Sequence, residues 1–137
     1  MADADIDTIL RTFRTIAVVG MSKDPSKEAH RVPAYLKEHG YRVIPVNPTA
    51  TEILGEKAYP NLAAVPDPYE LVEVFRPSDQ VGPVVDEAIR HGKAKAIWMQ
   101  LGIANQAAAA KARAAGLVVV ENRCMRTEHQ LRAAPPP

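Results

Sequence analysis

The chain has 137 residues, 47% of them hydrophobic, with 17 basic against 16 acidic side chains. That is enough for the core of one domain, and a net charge near zero argues against general affinity for nucleic acid or membrane surfaces. A lone Cys124 excludes an intrachain disulfide framework and a multi-thiolate metal site; the start Met-Ala-Asp-Ala-Asp shows no signal peptide and no membrane span, so a cytoplasmic location is expected.

Residues 5–14 read as a short amphipathic helix with Ile6, Ile9, Leu10 and Phe13 on one stripe. Residues 16–20 form an apolar strand, hence one buried on both faces. A polar loop follows, then a helix over 26–39 that Gly40 ends and Pro33 should kink or shorten. Residues 42–46 are a second strand, and Pro45 places it near an edge or a bulge. Residues 47–70 read as irregular apart from a helical turn or two at 61–65. A third strand covers 71–75. Ser78 can cap a helix over 79–91 that Gly92 ends. The fourth strand is 95–99, an alanine-rich helix spans 104–115, the fifth strand is 117–120, and 124–132 read as a last helical turn or two. Residues 133–137 read as a disordered, proline-rich tail, which leaves 1–132 as the domain.

Strands alternating with helices give an α/β fold: a single Rossmann-like three-layer domain with a mostly parallel five-stranded sheet. A flavodoxin-like or Rossmann-like half fits, with 3-2-1-4-5 as the expected strand order. Ligands of such sheets bind beyond the carboxyl ends of the strands, where the winding reverses.

The residues just after each strand are therefore the candidates. Gly20-Met21-Ser22-Lys23-Asp24-Pro25-Ser26 has the strand–turn–helix form of a phosphate site, with Lys23, Lys27 and Arg31 for charge. Lysines solvated beside a capped helix are the plainer reading. The second and third glycines of a dinucleotide fingerprint are missing, since Ser22 and Pro25 stand there. Val46-Asn47-Pro48 ends the second strand without the acid that takes ribose hydroxyls in an NAD fold, though Asn-Pro is also a simple turn signal. Phe75-Arg76-Pro77 puts an arginine at the crevice mouth, for a phosphate or for a salt bridge. Gln100, before Leu101 and Gly102, could hydrogen-bond an amide of a ligand. Cys124 sits between Arg123 and Arg126, where cations favour reactivity, although a buried thiol is the commoner case. His30, His39, His91 and His129 show no metal-ligand spacing, and no nucleophile motif is visible, so no catalytic constellation emerges.

Gly20-Met21-Ser22, Val43 to Pro48, Ile53-Leu54-Gly55, Tyr59-Pro60, Val74-Phe75-Arg76, Trp98 to Gly102 and Asn122-Arg123-Cys124 together resemble the small stand-alone CoA-binding protein family. That family is similar to the N-terminal CoA-binding domain of the succinyl-CoA synthetase α subunit. The resemblance implies a Rossmann-like fold that binds coenzyme A or an acyl-CoA. By this likeness Gly20 to Ser26 take the phosphates, and Val46-Asn47-Pro48 with Phe75-Arg76-Pro77 border the adenosine and the start of the pantetheine arm. Gln100, Gly102 and Ile103 line its continuation. The synthetase carries a phosphorylated histidine in a second domain that this sequence lacks, and more glycine in its loop. The expected protein is thus a CoA carrier, sensor or partner of acyl-CoA metabolism, without ligase activity of its own and with an unknown protein partner. A small NAD(P)-dependent oxidoreductase and an interaction module with a vestigial nucleotide crevice are the alternatives.

Overall fold

The computed structural model describes residues 3–132, and the expected tail at 133–137 lies outside them. Helix α1 (Asp3–Thr12) leads into strand β1 (Thr15–Val19), helix α2 (Glu28–Glu38) and strand β2 (Arg42–Val46). A small hairpin of β3 (Glu52–Ile53) and β4 (Glu56–Lys57) and a 3₁₀ turn at Leu62–Ala64 precede β5 (Leu71–Val74). Helix α3 (Val81–His91), β6 (Ala96–Met99), α4 (Gln106–Ala114), β7 (Val118–Val120) and α5 (Met125–Arg132) complete the described chain. No described helix is long and apolar enough to cross a membrane.

Five strands form one all-parallel sheet in the order β2-β1-β5-β6-β7. Counting only these strands along the chain, the order is 2-1-3-4-5 rather than 3-2-1-4-5. The third strand pairs with the first instead of lying beyond the second. The outer edge of β2 is held by the excursion that follows it. Tyr59 pairs there with Val46, its N–H donating to the Pro45 carbonyl at 3.0 Å and its carbonyl accepting from Asn47 N–H at 2.8 Å. Since Pro45 turns its carbonyl toward this edge, its missing N–H faces the same way, and no bond to β1 is lost.

Helices cover both faces. On one side Val81, Val85 and Ala88 of α3 and Ala108, Ala109 and Ala112 of α4 pack on Ala17, Val72, Val74, Ile97 and Val119. Alanines let α4 lie close to its neighbour. On the other side Ile6, Ile9 and Leu10 of α1, Val32 and Leu36 of α2, and Met125 of α5 pack on Ile16, Val18, Leu71 and Trp98. Helix α5 is clasped to α2: Tyr35 Oη lies 2.7 Å from His129 Nδ1, and Arg126 donates to Glu28 at 2.6 Å.

Two local expectations give way. Ser78 does not cap α3; a 3₁₀ turn at Ser78–Gln80 intervenes, and the Ser78 hydroxyl accepts from Ala104 N–H at 3.1 Å. The β3–β4 hairpin replaces part of the irregular stretch. Its turn holds Leu54 and Gly55 at φ 54° and 75°, a two-residue reversal in which leucine stands where asparagine is usual.

Candidate functional site

The site begins at Gly20, where β1 ends between β2 and β5. This is the point at which the chain's winding reverses, since β2 lies on one side of β1 and β5 on the other. Gly20 has φ +86°, and a β-carbon there would stand 2.8 Å from the Phe75 carbonyl oxygen and 3.1 Å from Arg76 Cδ. Only glycine satisfies both the turn and the approach of the neighbouring strand end.

The loop beyond Gly20 is pinned to the start of α2 by a proline. Pro33 has no N–H to give the carbonyl four residues back, so the Ala29 carbonyl is open, and Ser22 N–H donates to it at 3.1 Å. Pro33 thus leaves α2 continuous and provides an anchor for the loop. The Ser22 hydroxyl accepts from Asp24 N–H at 3.0 Å, and its carbonyl lies 2.8 Å from His30 Nδ1. Asp24 accepts from the N–H and the hydroxyl of Ser26 at 2.9 and 2.7 Å, and these two bonds hold its carboxyl below the usual range.

Asn47 joins this loop to the one after β2. Its Nδ2 donates to the Met21 carbonyl at 2.8 Å, and its Oδ1 accepts from the N–H and hydroxyl of Thr49 at 2.8 and 2.9 Å. The turn reading and the site reading of Asn47 therefore meet: the side chain builds the wall and has both ends engaged in doing so.

Between these loops lies an open cavity of about 530 Å³. It brings together Gly20, Met21, Ser22, Lys27, Val46, Asn47, Pro48 and Arg76 from the sequence-derived set. Met21 buries its side chain in the core beneath. Lys27 and Arg76 carry positive charge at the rim; Arg76 donates to the Gln80 side chain. Glu87 is the one acid in the lining, and its carboxylate accepts from Leu62 N–H at 3.0 Å.

The other expected residues lie outside this cavity. Lys23 and Ser26 are exposed on the loop, and Arg31 is exposed on α2 with a guanidinium 3.7 Å from Glu28. Phe75 packs against the α1–α2 side of the core, and Pro77 precedes the 3₁₀ turn. Gln100 is buried with its Oε1 accepting from Met125 N–H at 3.1 Å, so that oxygen holds the start of α5. Gly102 N–H donates to Asn122 Oδ1 at 2.7 Å, and the Ile103 carbonyl accepts from Asn122 N–H at 3.0 Å. These bonds tie the loop after β6 to that after β7. A second cavity of about 420 Å³ opens beside them, lined by Leu101, Glu121, Asn122, Arg123, Cys124, Thr127 and Glu128.

Sequence reasoning missed Val19, Thr49, Pro60, Asn61 and Glu87 in the first cavity. Val19 and Thr49 adjoin residues it did select. Asn61 caps the 3₁₀ turn by accepting from Ala64 N–H at 3.0 Å, and an Asn ahead of a short apolar turn was its available signal. Glu87 lies on a predicted helix with nothing in its spacing to single it out.

Residues 14–130 match the CoA binding domain family. The chain is 37% identical over 126 residues to the uncharacterized protein YneT of Bacillus subtilis, covering 92% of this chain and 93% of that one. A solved structure of a hypothetical protein from Pyrococcus horikoshii superposes with a TM-score of 0.91 at 44% identity, covering 96% of this chain and 92% of that one. The α subunit of an ADP-forming acetate–CoA ligase II from Pyrococcus furiosus is 36% identical over 80 residues, which is 58% of this chain and 18% of the ligase subunit. The chain belongs to the CoA-binding domain family.

Proposed function

We propose that this protein binds coenzyme A or an acyl-CoA in the cavity over the ends of β1 and β2, and that it does no ligase chemistry by itself. The observation that carries the reading is the cradle at Gly20. Gly20 lets the ends of β1 and β5 close on each other at the turn, which sets the cavity at the point where the winding reverses, and Lys27 and Arg76 flank it with charge. A diphosphate needs such cations at the carboxyl end of the sheet. The cavity is within the usual size range for small-molecule sites, roughly 300–1,000 Å³.

Asn47 favours CoA over NAD. Its amide and its carbonyl oxygen are both engaged inside the protein, and no acid stands there to take a ribose diol. The adenosine would lie against Val46-Asn47-Pro48. The pantetheine arm would then cross the ends of β5 and β6, where Leu101 is 67% exposed and offers apolar surface. Likeness to part of an acetate–CoA ligase supports a role beside acyl-CoA metabolism, as carrier, sensor or partner.

The test is mass spectrometry of the small molecules released when protein purified from its source is denatured. CoA or an acyl-CoA in near-stoichiometric amount is expected, and a nicotinamide dinucleotide in its place would overturn the reading. Incubation with CoA, acetate and a nucleoside triphosphate is expected to form no thioester, and turnover by a clean preparation would reveal a catalytic site.

A further inference from the structure

Arg76 reaches the cavity across the Gly20 turn. Its Cδ stands 3.1 Å from the point where a β-carbon on Gly20 would be, so its aliphatic stem lies over the end of β1. The side chain is exposed, and an exposed arginine has rotamer freedom to lose before a ligand can use it. Here the guanidinium is already held, because it donates to the side-chain oxygen of Gln80, four residues further along. Gln80 itself stands outside the cavity lining.

The chain around Gln80 is fixed from two sides. Gln80 closes the 3₁₀ turn Ser78–Gln80, its N–H donating to the Pro77 carbonyl at 2.8 Å. Ser78 is tied to the loop before α4: its hydroxyl accepts from Ala104 N–H at 3.1 Å, and its carbonyl accepts from Asn105 Nδ2 at 2.9 Å. Asn105 Oδ1 accepts in turn from Ala108 N–H at 2.9 Å, at the start of α4. The Gln80 side chain is not needed by the helix it precedes, since it makes no capping bond to α3. Among the described residues its oxygen serves Arg76.

This partner is neutral. A carboxylate is the stronger acceptor for a guanidinium, and Asp79 stands one residue before Gln80. The bond goes to the amide instead. An amide oxygen takes one of the five N–H groups of a guanidinium and removes none of its charge. An acid in its place would hold the arginine and also offset the charge that a diphosphate needs. We propose that Gln80 is the positioning residue of Arg76: it restrains the arginine at the cavity rim and leaves its positive charge for the phosphates of the ligand. The inference rests on the CoA reading above. By it, the neutrality of residue 80 matters to affinity as well as its hydrogen bond.

The experiment is titration calorimetry with CoA on the wild-type protein, on Gln80→Ala, Gln80→Glu and Arg76→Ala, and on the double variant Gln80→Ala with Arg76→Ala. Gln80→Ala is expected to weaken CoA binding about fivefold, as for one long side chain left to be ordered by the ligand. Gln80→Glu keeps the hydrogen bond and is expected to weaken binding further, about tenfold or more, because it offsets the charge. A loss equal to or smaller than that of Gln80→Ala overturns positioning by a neutral group. In the absence of Arg76 the Gln80→Ala change is expected to leave affinity as it is, and the same loss with and without Arg76 overturns an action through that arginine. Thermal midpoints of both Gln80 variants are expected to stay at the wild-type value, since the side chain is exposed and caps nothing. A midpoint that falls in step with affinity would make Gln80 a structural residue and overturn the proposal. The wild-type titration separates the two levels: CoA binding that the Gln80 variants leave unchanged overturns the positioning alone, and absence of binding to the wild type brings down the CoA reading and the positioning with it.

Discussion

The carboxyl edge of the sheet and its centre treat their polar side chains differently. At the β1–β2 end the loops around the cavity are tied by their own side chains: Ser22 with Asp24, Asp24 with Ser26, Asn47 with Met21 and Thr49. At the β6–β7 end the side-chain oxygens of Gln100 and Asn122 are engaged in the same way, whereas Glu73, midway along the central strand β5, has no hydrogen-bond partner among the described residues. At the first end these donors and acceptors are closed on one another, and the proposed ligand contacts are Gly20, Lys27 and Arg76. The centre of the sheet, by contrast, carries a destabilising group. A change at the first end should therefore lower stability or affinity, whereas the right change at the centre should raise stability.

The sharpest break of that comparison is Glu73. Burial makes its native carboxyl keep a proton up to about 8, whereas a solvent-exposed glutamate loses it near 4.5. The native state thus binds more protons than the unfolded chain across that window, and stability falls as pH rises through it, levelling off above 8. The wild type should lose about 3 kcal/mol between about pH 5 and pH 8 from this group, and Glu73→Gln should remove most of that slope. Denaturant titrations at the two pH values check it; a variant with the wild-type slope would contradict a buried, protonated Glu73.

Gly20→Ala comes next. The added β-carbon meets the Phe75 carbonyl in a left-handed backbone conformation. A loss of about 2–3 kcal/mol in chemical unfolding is expected, together with loss of CoA binding. Full stability would mean that the two strand ends are free to part.

Arg76→Ala should act on the ligand alone. CoA affinity is expected to fall by about 1–3 kcal/mol, as for a charge-assisted hydrogen bond, with little change in thermal midpoint because the side chain is exposed. Unchanged affinity by calorimetry would leave Arg76 as a partner of Gln80 only.

Asn47→Ala is the smallest. It leaves the Met21 carbonyl and the Thr49 N–H without their partner, a loss of about 1–2 kcal/mol in thermal unfolding. A larger effect on CoA affinity than on stability would show that Asn47 also meets the ligand.

The fold was legible where periodicity and punctuation carry it. The apolar run ending at Gly20, the glycines after three helices and the position of Pro45 mark element types and an edge strand correctly. Strand order was not legible, because it depends on how 47–70 covers the edge of β2, and two-residue strands such as Glu52–Ile53 have no period to read. The cradle residues followed from their place after strands. Gln100 sits at such a place too, yet its oxygen is claimed by Met125, a partner 25 residues away that no local pattern reveals. Glu73 was passed over although an acid inside a strand buried on both faces is itself a signal.

Titration calorimetry of the reduced protein with CoA, NAD and NADP tests the central claim most directly. CoA is expected to bind in a one-to-one ratio and more tightly than either dinucleotide. Tighter binding of NAD or NADP, or no heat with CoA, would contradict it.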